Sequence, residues 1–241
     1  QIVWYTPDKV IVLHGGPGAP GCAAGLCRIL EEDIDVLKHL QKACTIDGFM
    51  DEILYLIRIY ALSQIILAGH SFGAWLALLF ADKYHLLVSR AIIIGCGPLK
   101  AKYLPEIIQT QRSGPNRGFP IWIIIIHYLK PIRTCCNLMR NSISINGCNI
   151  FFTRKRELLD RILHVTCPLT AFHGKYDPPP IRGLSVPLEG KLPNLRLIIL
   201  ENYGHDTWKE KYAREEFLQL IRSELEINEK KIYYKKTRSK S

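Results

Sequence analysis

Short apolar runs alternate along this chain with segments whose apolar residues recur every three or four positions. Val10–Leu13 (VIVL), Gln64–Ala68 (QIILA), Arg90–Ile94 (RAIII), Pro168–Phe172 (PLTAF) and Leu195–Leu200 (LRLIIL) are nearly continuous in apolar and β-branched character. They read as strands, and Val10–Leu13 in particular looks like a parallel strand covered on both faces, where neither face meets water. Ile2–Tyr5 reads as a further short strand. Asp35–Leu40 reads as another, with a periodicity that fits strand and helix alike. Between these runs, residues 22–31, Asp47–Leu62, Phe72–Lys83 and a last segment from about Lys209 to Ile227 carry the helical spacing. In Asp47–Leu62, for example, Phe49, Ile53, Leu56, Ile57 and Tyr60 share one side. Strand and helix in alternation predict an α/β fold built on a mostly parallel sheet with helices on both faces.

The rhythm fails between residues 99 and 166, where prolines recur at Pro105, Pro115, Pro120 and Pro131. This segment is expected to be a cap inserted into a core made of residues 1–98 and 167–227. Residues 228–241 then form a polar, basic, solvated tail. The net charge of +10 is concentrated in two of these parts. Residues 99–166 hold eleven Lys and Arg against the three carboxylates Glu106, Glu157 and Asp160, and residues 228–241 hold six against one. No base-stacking or groove-reading element accompanies the basic tail, so nucleic acid is not expected as a partner.

The apolar run Phe119–Leu129 is too short to span a bilayer, which takes about 20 residues. Ile121–Ile126 within it is expected to lie inside the cap. No signal-peptide pattern is present at the start of the chain. The eight cysteines include no C-x-x-C pair. In a chain with an ample core they read as reduced, mostly buried thiols, which points to a cytoplasmic protein with no metal site and no cofactor.

The chemistry is carried by Gly69-His70-Ser71-Phe72-Gly73. The pattern G-x-S-x-G is common by chance, but here it follows an apolar strand and opens a helix, as a nucleophile elbow requires. On so tight a turn, small residues two before and two after the serine avoid a clash between strand and helix. Ser71 is therefore the expected nucleophile. A serine hydroxyl needs a base, and His205 follows the last strand on the loop Asn202–Asp206. Asp177, after the preceding strand, is the expected acid that orients the base. The chain order Ser, Asp, His matches this elbow and neither the chymotrypsin nor the subtilisin order. The oxyanion donors expected are the amide of Phe72 and that of Gly16, with Gly15 the near alternative. His14, His70 and His173 are read as structural, and Trp208 as packing against the last helix.

His14-Gly15-Gly16-Pro17-Gly18 and GHSFG at 69–73, with HGKYD at 173–177 and GHD at 204–206, resemble the proline iminopeptidase branch of the α/β hydrolases. The resemblance spans about residues 9–98 and 167–220. It implies the α/β-hydrolase fold, the triad Ser71, Asp177 and His205, and an oxyanion donor from the 14–18 turn. The sequence departs from that branch in three places. Val36–Gln41 stands where the branch has D-x-R-G-x-G-x-S. The hairpin before the first long strand is mostly lacking, so a sheet of fewer strands is expected. The segment 99–166 is basic, whereas an aminopeptidase needs carboxylates there to hold a substrate ammonium.

A basic cap repels a cationic N-terminus and attracts anions. The expected function is therefore a serine hydrolase of a carboxylic ester or thioester, acting on a small-molecule acyl substrate of anionic character. A proline iminopeptidase-like aminopeptidase is the first alternative. A hydrolase-fold ligand-binding protein with little turnover is the second.

Overall fold

The computed structural model describes residues 9–16, 21–43, 45–113, 158–210 and 214–225. Ile2–Tyr5, Ile121–Ile126, most of the expected insertion and the basic tail lie outside these residues.

Six strands form one sheet in the order β2-β1-β3-β4-β5-β6. They are β1 (Lys9–Leu13), β2 (Val36–His39), β3 (Ile65–His70), β4 (Val88–Ile94), β5 (Leu169–Gly174) and β6 (Leu195–Leu200). Every neighbouring pair is parallel. Successive side chains supply opposite faces. Ile11, Leu13, Ile65, Leu67, Ala91 and Ile93 enter one core layer, and Val10, Val12, Ala68, Ile92 and Ile94 enter the other. The continuous apolar runs of the sequence thus serve two cores at once.

The helices are α1 (Ala24–Glu31), α2 (Ile46–Ile59), α3 (Phe72–Lys83), α4 (Leu104–Ser113), α5 (Arg182–Leu188) and α6 (Arg214–Glu224). Leu26 and Leu30 of α1 and Phe217 and Ile221 of α6 pack on one face of the sheet. The other face is covered by α3, with Phe49, Met50 and Ile53 of α2 and Leu184 and Leu188 of α5 in the same layer. Every residue of α3 from Phe72 to Ala81 is buried, which is why this helix shows no polar side. Leu99, Leu158, Leu159 and Ile162, the two ends of the expected insertion, belong to the layer that contains α3.

The last helix, expected from about Lys209, is described as α6 from Arg214 to Glu224. Thr207–Lys209 is a 3₁₀ turn, and Glu210 is extended, at φ −85° and ψ 123°. Its carboxylate accepts the amide of Gly204 at 2.8 and 2.9 Å. Helix α4 arises inside the expected insertion; Pro105 sits in its first turn, where the missing N–H costs nothing. Helix α5 was not foreseen, because it is short and holds Pro187.

No described helix is long and apolar enough to cross a membrane. Cys22, Cys27, Cys96 and Cys167 are free thiols.

Candidate active site

Parallel strands bring the ends of β1, β3, β4, β5 and β6 to one edge of the sheet, where open α/β sheets bind ligands. Ser71 lies between β3 and α3 with φ 54° and ψ −114°, a backbone state that costs a non-glycine residue free energy. The flanking glycines are explained by distance. A Cβ on Gly69 would sit 2.2 Å from the Gly73 carbonyl oxygen, and one on Gly73 would sit 2.4 Å from that of Leu13. The elbow is thus packed on β1 as well as on its own helix. The Ser71 amide donates to Ile94 O at 2.9 Å, which ties the turn to β4. The amide of Phe72 opens α3, at the positive end of the helix dipole.

The loop after β6 is seated on the loop after β5. A Cβ on Gly174 would meet Gly204 O at 2.3 Å, and the Tyr176 amide donates to Tyr203 O at 2.8 Å. This places His205 Nδ1–H 2.8 Å from Asp177 Oδ1. Both residues are buried. Burial alone pushes the imidazole pKa down, but the charge and hydrogen bond of Asp177, with Asp206 nearby, outweigh it and raise His205 above the ordinary histidine value. Asp206 is turned elsewhere. Its Oδ2 accepts Lys209 Nζ at 2.8 Å, and its Oδ1 lies 3.4 Å from His70 Nε2.

The histidines read as structural are built into the same edge. His70 Nε2–H donates to the carbonyl of His205 at 3.2 Å, and burial holds this imidazole neutral, well below the ordinary range. The residue before the candidate nucleophile thereby holds the backbone of the candidate base. His14 Nδ1–H donates to Gly15 O at 3.0 Å, and its Nε2 accepts the Gln41 amide at 3.2 Å. His173 Nε2–H donates to Pro179 O at 2.9 Å. Its Nδ1 lies 4.0 Å from Asp177 Oδ2, and neither atom has a hydrogen-bond partner among the described residues. Trp208 packs against Phe217 of α6, with ring centroids 6.5 Å apart, and also edge-on against His70 at 4.7 Å.

In the turn after β1, the two glycines differ. The Gly15 amide donates to Cys22 Sγ at 3.0 Å, whereas Gly16 takes φ +53°. Gly15 itself lies against the elbow, since a Cβ there would meet Ser71 Cβ at 3.0 Å.

Two features of this edge escaped the sequence. Gly95 has φ +56°, and a Cβ on it would lie 3.0 Å from His205 Nδ1 and 3.1 Å from Asp177 Oδ2. Its place directly after an apolar strand was the available signal. The second is a small pocket beside Ser71 walled by Phe72, Trp75, Pro98, Ile107 and Pro179. None of these walls carries a charge. Among the described residues, no group of three or more His, Cys, Asp or Glu side chains is arranged to hold a metal ion.

No protein-family model matches the chain. A proline iminopeptidase from Saccharolobus solfataricus is 23% identical over 263 residues, covering 89% of this chain and 83% of that protein. Among solved structures, the proline iminopeptidase of Mycobacterium smegmatis superposes with a TM-score of 0.65 at 17% identity, covering 91% of this chain and 89% of the other. A thermophilic esterase from Thermogutta terrifontis superposes with a TM-score of 0.62 at 18% identity, covering 92% and 90%. With a six-stranded parallel sheet, a glycine-flanked elbow between its third strand and third helix, and these likenesses over nearly its whole length, the chain has the α/β-hydrolase fold.

Proposed function

We propose that this protein is a serine hydrolase that cleaves a carboxylic ester or thioester through an acyl-enzyme. The observation that carries the reading is the strained Ser71 backbone on the edge that also holds the His205–Asp177 pair, 2.8 Å apart. A residue is kept at positive φ against its own preference only where the surroundings over-determine it, as at a nucleophile elbow.

In this reading His205 Nε2 takes the hydroxyl proton as Ser71 Oγ attacks the carbonyl carbon. The carbonyl oxygen becomes an oxyanion, held by the amides of Phe72 and Gly16. Gly16 is favoured over Gly15 because the Gly15 amide is already given to Cys22. The tetrahedral intermediate collapses, His205 returns the proton to the departing alcohol or thiol, and the acyl group stays on Ser71. Water then attacks the acyl carbon as His205 takes its proton; the second tetrahedral intermediate collapses, its bond to Ser71 Oγ breaks, His205 returns the proton to Oγ, and the acid departs. Asp177 remains ionised and holds the imidazole in the tautomer whose Nε2 can accept.

The two iminopeptidase likenesses favour a second reading, removal of N-terminal proline. That reaction needs a carboxylate near the nucleophile to hold the substrate ammonium. The pocket beside Ser71 has apolar walls, and Glu106 is paired with Arg182 at 2.7 Å. Glu157 lies outside the described residues, and Asp160 is exposed. The eleven basic residues of 99–166 further favour an anionic substrate.

The test is steady-state hydrolysis of p-nitrophenyl acetate and of proline p-nitroanilide by wild type and Ser71→Ala. Ester turnover lost in Ser71→Ala, with no anilide turnover, is expected. Faster anilide turnover, also lost in the variant, would transfer the proposal to the aminopeptidase. Equal rates for both proteins on both substrates would remove Ser71 from the chemistry and leave a binding protein.

A further inference from the structure

The pocket beside Ser71 is very small. The centre of a water-sized sphere can move through about 10 Å³ of it, so the space is larger than one such sphere but still small. Its size suits a short alkyl chain and not a long one. We infer that this pocket receives the acyl chain, that the substrates are esters or thioesters of short uncharged acids, and that Ile107 sets the chain-length limit. The inference rests on the hydrolase reading above and adds the identity of the acyl group.

The walls hold their positions by bonds that leave little room for adjustment. Trp75 Nε1–H donates to Gly97 O at 3.1 Å, and a Cβ on Gly97 would meet the Trp75 ring at 2.5 Å. Pro98 is pressed against α5, where a Cβ on Gly183 would lie 2.6 Å from the Pro98 ring. The Leu99 amide donates to Gly183 O at 2.9 Å, fixing the same strap to the same helix. Pro179 is held through its carbonyl, which accepts His173 Nε2–H at 2.9 Å. Phe72 packs edge-on against Phe49 with centroids 5.6 Å apart.

Ile107, 1% exposed on α4, closes the pocket. Its side chain is held by packing alone, so it is the wall that substitution can move without breaking a hydrogen bond. Absence of charge on the described walls also has a consequence. An acyl chain ending in a carboxylate or ammonium would be desolvated there without a partner, which is unfavourable. An anionic substrate therefore carries its charge on the leaving group.

The experiment compares p-nitrophenyl acetate, butyrate and octanoate, which share a leaving group, in wild type, Ile107→Val and Ile107→Ala. A methylene that a hydrophobic pocket cannot accept changes kcat/KM by roughly 10- to 200-fold. Wild type is expected to favour butyrate over octanoate by at least about 10-fold. Ile107→Ala is expected to raise the octanoate-to-butyrate ratio by about 10-fold or more, with Ile107→Val between. Because the ratio is taken within one preparation, loss of folded protein cancels from it. Turnover of all three esters with a ratio unmoved by either variant would overturn the pocket assignment and leave the hydrolase reading standing. A wild type that prefers octanoate would do the same. No ester turnover above that of Ser71→Ala would overturn the hydrolase reading and the pocket assignment with it.

Discussion

Gly95→Ala tests whether the His205–Asp177 geometry matters to turnover. Two costs arise at this position and the structure separates them. The first is the backbone, since an L side chain at φ +56° costs about 1–2 kcal/mol. The second is space. The new Cβ would lie 3.0 Å from His205 Nδ1, 3.1 Å from Asp177 Oδ2 and 3.2 Å from His205 Cε1. These contacts relax only if the imidazole or carboxylate moves by a few tenths of an ångström. A misplacement of ~1 Å costs about 100-fold in rate, so a shift of roughly half that should cost about 10-fold in kcat/KM. Gly190→Ala supplies the control. Gly190 has φ +67°, with nothing within 4 Å of the added Cβ, so it bears the backbone cost without the clash. Both variants should melt lower than wild type, by about 2–8 °C for a domain of this size. Only Gly95→Ala should lose p-nitrophenyl acetate turnover when assayed well below its melt. Wild-type kcat/KM in a folded Gly95→Ala would refute the reasoning. Equal losses in both variants would assign the effect to stability and not to geometry.

Ser71→Ala and Ser71→Gly should both be inactive, but glycine tolerates φ 54°, so Ser71→Gly should melt higher than Ser71→Ala, a difference of ~1 kcal/mol less the entropy that glycine adds to the unfolded chain. Activity should fall on the acid side with an apparent pKa above the ordinary histidine value of 6.5, because the proposed base must be neutral and its pKa is raised in the fold. Stability should show two limbs, measured as melts across pH. His14, His70 and His173 have lowered folded-state values, so the unfolded chain binds more protons as pH drops below 6.5 and stability is lost there. The raised value of His205 has the opposite sign, so its contribution is present below the unfolded pKa and is lost as pH rises through the folded one. Asp177→Asn should remove that alkaline limb. Glu224→Ala should lower stability by about 2 kcal/mol without changing kcat. This buried carboxylate accepts Thr170 Oγ1–H at 2.5 Å and pairs with Arg196 and Arg90, near the starts of β5, β6 and β4 and therefore at the opposite end of the sheet from Ser71.

What the chain order alone determined was local. The apolar runs at 10–13 and 65–68 fit strands covered on both faces, whereas the run at 195–200, alike in local pattern, forms the edge strand β6 with Ile199 48% exposed. The elbow was legible because its requirement is local too: strand, two small residues around a serine, and helix follow within one short stretch. That the His205 imidazole faces Asp177 and not its neighbour Asp206 has a reason no local pattern contains. The loop after β6 sits on Gly174, and that contact aims the imidazole at Asp177 while Asp206 turns to His70 and Lys209. Other features exist only because distant segments meet. His70 reaches the backbone of His205 across 135 positions, the Gly15 amide is claimed by Cys22, and the Glu210 carboxylate reaches back to the amide of Gly204. The pocket likewise takes its walls from α3, α4 and the loops after β4 and β5. Local sterics write strands, turns and the elbow into adjacent residues, whereas burial, pKa and pocket size depend on which surfaces the sheet brings together.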